Sequence, residues 1–223
     1  MNFDGEDLSQ QTMTARLSPD EKHVFRDCDL TGTDFWGASL AGATFQSCVL
    51  EQTDFRKADL DGAAFTGGGG LGTRFGDSDL LDAVFTDVDL SSARFGGALM
   101  TDASFSGCRM IGASLTSSRG TGFSVARSNL VMANVGGCSF RGRVLEGIRF
   151  DDADLSGCDF TEATFSDCRM IGAKVLRAVF AKADLRGADL GELDDHKLRA
   201  FAGGVINPTQ AAAILGARGL SVA

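Results

Sequence analysis

The sequence predicts an all-β fold: a four-sided (quadrilateral) β-helix wound in 20-residue coils, with a short α-helix at its C-terminal end. Three observations carry this. From Phe25 to Leu190 every fifth residue is large and apolar: 32 of the 34 positions in that register are Phe, Leu, Met or Val, the exceptions being Gly70 and Gly120. The residue two before each is small, with Ala, Cys, Ser or Thr at 28 of the 34. From 25 to 105, Phe takes every odd member of the register, and Leu or Met nearly every even one.

A period of five is neither the 3.6 of a helix nor the 2 of a strand. It suits one side of a square, a short extended piece followed by a turn. Four sides make a coil, and coils stack by backbone pairing at about 4.8 Å. Residues two apart on an extended piece share a face, so the large and the small residue both point inward. The other three positions face solvent. A 20-residue coil then stacks Phe25, Phe45, Phe65, Phe85 and Phe105 in one column and Phe35, Phe55, Phe75 and Phe95 in an opposite one, at ring-stacking distance.

In chain order, residues 1–24 read as a partial repeat and an irregular segment. Phe3 and Leu8 are five apart, but Phe25 breaks the register, so 9–24 is expected as a loop or a lone helical turn. Residues 25–192 form the β-helix. Within it, Gly67–Gly70 predicts a slack turn where a core residue is missing. Residues 115–150 are less regular: Gly120 leaves a core position empty, and Phe123, Arg143 and Ile148 occupy small positions. Because an Arg is not buried unpaired, a distorted coil is expected there, with Phe123 replacing the core residue missing at Gly120. CRMIGA occurs at 108–113 and 168–173, three coils apart and so on one side. Residues 193–223 form a cap, with Leu198, Phe201 and Val205 as apolar anchors, Asn207 as helix N-cap, Pro208 at the first helical position and Gly219 as the stop. An open solenoid end exposes strand edges. The apolar richness of this segment predicts that two chains join through it about a two-fold axis.

The chain has 223 residues, is 43% hydrophobic and carries a net charge of −9, which excludes a disordered chain and a basic nucleic-acid footprint. It suits a partner with a basic surface. MNFDGEDLSQ lacks the apolar core of a signal peptide and no apolar run is long enough to span a membrane, so a cytoplasmic location is expected. The six cysteines (28, 48, 108, 138, 158, 168) all occupy the small position, reading as small buried hydrophobes rather than metal ligands. The two histidines, His23 and His196, flank the coils and are expected to be solvated. No nucleophile–base pair is visible, and GGGG lacks the Gly-Lys-Ser/Thr of a phosphate loop. Neither an enzyme nor a cofactor is expected.

The repeat is most complete in KADLDGA, DDADLSG and AKADLRGADLGE. It resembles the A(D/N)LXX signature of pentapeptide-repeat proteins, which implies a right-handed quadrilateral β-helix over 25–192. Within that family the chain resembles the quinolone-resistance group, the Qnr/MfpA type. The resemblance rests on Phe3 and Leu8 ahead of VFRDCDLTG, on FSGCRMIGA and FSDCRMIGA, on KADLRGADLGELD, and on the tail GGVINPTQAAAILGARGLSV. It implies a cytoplasmic homodimeric rod that mimics duplex DNA and binds DNA gyrase and, in some members, topoisomerase IV, countering fluoroquinolones or other gyrase poisons. The unbroken register leaves none of the loops that Gram-negative members need for protection, so the chain is closer to the loopless mycobacterial type. A structural or interaction β-helix, or a toxin-immunity protein with a non-gyrase partner, stays open as the other reading.

Sorted by side, the charges concentrate. The side of Leu40, Leu60 and Leu80 carries Asp59, Asp61, Asp79, Asp82, Asp102, Asp159 and Glu162 against Arg119, Arg141 and Lys182, net −4. The opposite side is also −4, and the remaining two are +2 and −1. The rod, about 41 Å long, is less densely charged than a duplex with one charge per about 1.7 Å. Those seven acids are the candidate partner-binding face. Leu198, Phe201, Val205, Ile206, Ile214, Leu215 and Leu220 are the candidate dimer interface.

Overall fold

The structure, a computed structural model, describes residues 1–221: a right-handed quadrilateral β-solenoid of about 9 turns, ending in two short helices. The first side is a nine-stranded parallel sheet of β1 (Asn2–Asp4), β2 (Val24–Arg26), β3 (Thr44–Gln46), β4 (Ala64–Thr66), β5 (Val84–Thr86), β6 (Ser104–Ser106), β7 (Ser124–Ala126), β8 (Val144–Glu146) and β9 (Thr164–Ser166). Its register pairs Phe25 with Phe45 and Phe45 with Phe65. The second, third and fourth sides pair mostly through single bridges, such as Asp29↔Val49, Asp34↔Asp54 and Ser39↔Asp59. On the second side the last rung is a strand pair, β10 (Cys168–Arg169) with β11 (Ala188–Asp189).

The expected columns fill the core. Phe45, Phe65 and Phe85 stack at 4.5 and 4.6 Å between centroids, within 6° of parallel. Rings of the opposite column meet them edge-on, as Phe55 meets Phe65 at 5.7 Å and 86°. These are the two arrangements that the ring quadrupole favours. Threonines in the small position are satisfied by carbonyls of the preceding coil: Thr33 Oγ1 donates to Leu8 O at 2.8 Å and Thr53 Oγ1 to Leu30 O at 2.7 Å. All six cysteines are buried free thiols. Burial pushes Cys48, Cys108 and Cys138 up to about 11 and Cys158 to about 12, so they behave as apolar filler.

Most corners share a conformation that the period-five pattern did not reveal. Two residues beyond the core residue the backbone turns left-handed, as at Gly32 (φ +62°), Lys57 (φ +58°) and Asp82 (φ +52°). The turn is closed by a bond such as Thr33 N–H to Leu30 O, 3.0 Å. That geometry excludes β-branched residues and favours Gly, Asp, Ser and the long polar side chains found there. Gly69 is a special case. Its φ is +105°, and an added Cβ would strike the Asp89 backbone, with N at 2.6 Å. Gly69 also bridges both Val49 and Asp89. The turn expected to be slack is instead tightly held, because the chain closes in where the core side chain is absent.

The N-terminal coil reaches further back than a break at Phe25 suggests. Phe3, Asp7 and Thr12 pair with Phe25, Asp29 and Asp34, an offset of 22 residues. Two extra residues, with a 3-10 turn at Thr14–Arg16, take up the slack in place of a fourth side. Met13 is therefore core, in a segment expected as a loop or a lone helical turn, and Arg16 lies over the Phe3 ring at 5.8 Å. His23 corrects another expectation. It is 1% exposed, with Nε2 2.8 Å from Ser18 O. It sits two before Phe25, which is the inward small position, so the register itself required burial. His196 is exposed, as expected.

Between 118 and 144 the coil is distorted as expected. Phe123 is buried, with its ring 5.2 Å from that of Phe140, while Arg143 turns outward.

After Leu190 the chain caps the solenoid. An unforeseen helix, α1 (Asp195–Ala200), starts with the Asp194 side chain accepting from Lys197 N–H at 2.8 Å. Phe201 packs on Phe180 at 4.6 Å. Val205 adds a rung to the first side, donating to Ala183 O and accepting from Leu185 N–H, both at 2.8 Å. The expected helix is α2 (Pro208–Gly216), with a reciprocal Asn207–Gln210 capping box. The Gln210 amide also donates to Leu185 O at 2.8 Å and Ala188 O at 2.7 Å, closing carbonyls of the last coil.

The terminal rung is expected to lose stability in acid. Arg186 donates to both oxygens of Asp184 (2.9 and 2.6 Å) and holds its carboxyl down to about 2. A depressed carboxylate stabilises the fold above its unfolded pKa, and that contribution is lost as pH falls. The window here runs from about pH 4 to about 2. Thermal melts should therefore show a smaller loss of Tm across that window for Arg186→Met than for the wild type. Equal losses would mean that the pair contributes nothing.

Candidate partner-binding walls and C-terminal end

The fourth side brings four of its seven candidate acids together. Asp59 and Asp79 are bridge partners in adjacent coils, and Asp61 and Asp82 occupy the neighbouring corner. Desolvation, then the charges of Asp79, Asp59 and Asp82, push the carboxyl of the exposed Asp61 upward. Asp102 continues this corner one coil on from Asp82. Asp159 and Glu162 stand apart, beyond the distorted coil. Asp159 lies 3.6 Å from Arg141, and Glu162 3.5 Å from Lys182. Hydrogen bonds from Thr161 hold the Asp159 carboxyl below its ordinary value, with a smaller contribution from Arg141.

Several of these acids also build the fold. The Asp59 carboxylate accepts from Asp61 N–H (3.2 Å), that of Asp79 from Leu81 N–H (3.0 Å), and that of Asp159 from Thr161 N–H (2.8 Å). The Asp of the repeat thus serves its own corner as an Asx turn while presenting charge outward. On the third side Asp54 is tied up by Arg56 at 2.6 Å and Arg74 at 3.5 Å. Burial favours its neutral form, but the bonds from Arg56 outweigh this and lower its pKa. Trp36, 49% exposed, lies beside this basic side with Lys57 Nζ 5.0 Å from its ring centroid. No reading of the repeat singled it out, because it sits at an outward position that the pattern leaves free.

At the C-terminal end the candidate interface residues separate. Phe201 is buried within its own chain. Leu198, Ile206 and Ile214 are half-buried against the core. Val205, Leu215 and Leu220 remain exposed at 49%, 38% and 58%. A cleft between α2 and the last coil is lined by Leu190, Leu193, Ala213 and Ile214. Among the described residues no helix is long and apolar enough to cross a membrane.

The fold has known counterparts. Full-length QnrB1, a plasmid-mediated fluoroquinolone resistance protein, superposes with a TM-score of 0.70 at 20% identity, over 99% of this chain and 100% of that one. A trypsin-treated QnrB1 variant does so at 0.55 and 23% identity, covering 100% and 99%. Among curated proteins no sequence matches the chain. The description "Pentapeptide repeats" matches in 8 copies, over residues 24–62, 78–117, 138–175 and 165–194. The two gaps hold Gly67–Gly70 and the distorted coil, the places where the core register fails. The matched segments cover more than half of the sequence, and the chain belongs to the pentapeptide-repeat family.

Proposed function

We propose that this protein is a non-enzymatic mimic of duplex DNA that binds DNA gyrase, with topoisomerase IV as a second target, and modulates it or protects it from fluoroquinolones or other gyrase poisons. The observation that carries the reading is the wall of Asp59, Asp61, Asp79 and Asp82, whose charges reinforce one another on a straight-sided rod. The QnrB1-like fold over the whole chain supports it. The surface attracts a basic groove and disfavours nucleic acid itself. Action in the cytoplasm belongs to the same reading.

Gyrase supercoiling and cleavage assays, with and without ciprofloxacin, test it. Inhibition or protection at micromolar protein, with co-purification of gyrase, is the expected result. No effect, together with stoichiometric capture of a different protein, would replace this reading with an interaction scaffold or a toxin-immunity protein.

The same proposal includes a homodimer joined through Val205, Leu215 and Leu220, with Leu198, Phe201, Ile206 and Ile214 supporting the surface from below. Light scattering should give twice the 23.3 kDa chain mass. Val205→Asp, Leu215→Asp and Leu220→Asp together should give the single-chain mass with an unchanged β spectrum. A wild-type mass of one chain would remove the dimer.

A further inference from the structure

We propose that the rod is articulated, with a hinge at residues 118–124 and 139–144 on which the acidic N-terminal stack bends relative to the C-terminal stack. The backbone ladders carry this first. On the second side pairing runs without a gap from Arg109 through Asn129 to Arg149, and on the third from Ser114 through Asn134 to Asp154. On the fourth side it reaches Arg119 from Leu99 and resumes only at Ser139↔Asp159. At the same level of the first side, β7 meets β8 through the single pair Ala126↔Glu146, where β6 and β7 share three. Two adjacent walls are stitched, the fourth is open at this level, and the first is held by one pair. The corner between the second and third sides is the pivot, and the opposite corner is the mouth.

The core changes hands at the same seam. The ring columns of the first and third sides end at Phe105 and Phe95, and a new column of Phe140, Phe160 and Phe180 begins on the fourth side. Gly120 leaves the level between them without its core side chain, and Phe123 meets Phe140 at 64° rather than stacking. Interdigitated rings resist bending elsewhere; here no ring column crosses, and mainly aliphatic side chains such as Leu130 and Val135 continue the core. The family's repeat pattern lapses over the same stretch, between residues 117 and 138.

Two opposite charges flank the mouth without pairing directly. Arg143 leaves the small position, and its Nη2 lies 3.3 Å from where a Cβ of Gly122 would be; the Asp102 carboxylate crowds the same point. Attraction between exposed charges at such a separation is weak and screened by salt. The seam also divides the charge. Residues 1–118 hold 8 basic and 18 acidic side chains, net −10, whereas residues 119–223 hold 13 and 12, net +1. The hinge therefore lets a strongly acidic rod adjust its angle on a nearly neutral base. This holds whatever the partner, because it is a property of the free protein.

Spin-label distances on the full chain test it. Thr66→Cys with Glu146→Cys spans the seam on the first side. Asp4→Cys with Thr86→Cys spans the same four coils within the N-terminal stack. The native thiols are buried and will not take the label. The control pair should give one narrow distribution near 19 Å, four coils at about 4.8 Å each. The seam pair should be wider by more than one coil spacing, about 4.8 Å, and should widen further from about 0.05 M to about 0.5 M salt. Width without salt dependence keeps the hinge and removes Arg143 from it. A seam distribution as narrow as the control at both salt concentrations overturns the proposal.

Discussion

Phe65→Ala is expected to cost the solenoid about 3–5 kcal/mol, the largest loss of any single core substitution proposed here. Phe65 is 1% exposed and stacks on Phe45 at 4.5 Å and Phe85 at 4.6 Å. Phe55 and Phe75 meet it edge-on at 5.7 and 5.8 Å. Removing the ring leaves four others facing a void that cannot collapse, because ladders on all sides fix the coil spacing. Phe201→Ala, which packs on Phe180 at the terminus, should cost less, since an end coil can settle into the gap. Urea unfolding followed by far-ultraviolet circular dichroism reads both. Equal midpoints for the two variants would show that the columns do not act as stacks. Phe65→Leu should lie between the wild type and Phe65→Ala, because it restores part of the volume.

The second large effect concerns the acidic wall. Replacing Asp59, Asp61, Asp79 and Asp82 together by asparagine should weaken gyrase inhibition by at least about tenfold, or about 1.4 kcal/mol. The fold should not suffer. Asparagine keeps the side-chain oxygen that accepts from Asp61 N–H and Leu81 N–H. Asp61, raised by desolvation and by its acidic neighbours, contributes stability that is full below the unfolded carboxylate pKa and is lost as pH rises through its folded one. Neutralising the wall should therefore leave Tm at pH 7 unchanged or higher. Added salt should narrow the difference between wild type and variant, since the wall acts through an exposed field. Inhibition that persists undiminished in a folded variant would place the docking surface elsewhere.

The two C-terminal segments show how far sequence patterns reach. Asn207, Pro208 and Gln210 announced α2, because capping is a local contest between side chain and backbone. For α1 the only such local signal was Asp194, which caps it, and without a proline or a reciprocal capping box that signal was too weak to mark a six-residue helix. The acids divide in the same way. The position of Asp59 in the repeat placed it outward, but no spacing rule distinguished it from Asp159, whose charge is met by Arg141 from an adjacent coil.

From the amino-acid order alone came the square cross-section, the 20-residue coil, the phenylalanine columns and the trouble around Gly120. All of these follow from which side chains can share an interior when the chain turns every five residues. Burial of His23 was also within reach, since it obeys the same inward register. The tertiary structure decided the 22-residue first coil, the left-handed corners, the tight fit at Gly69 and the ladder gap between 119 and 139. Each depends on how one coil's backbone meets the next, and that fit is set by neighbours twenty residues away rather than by any local preference.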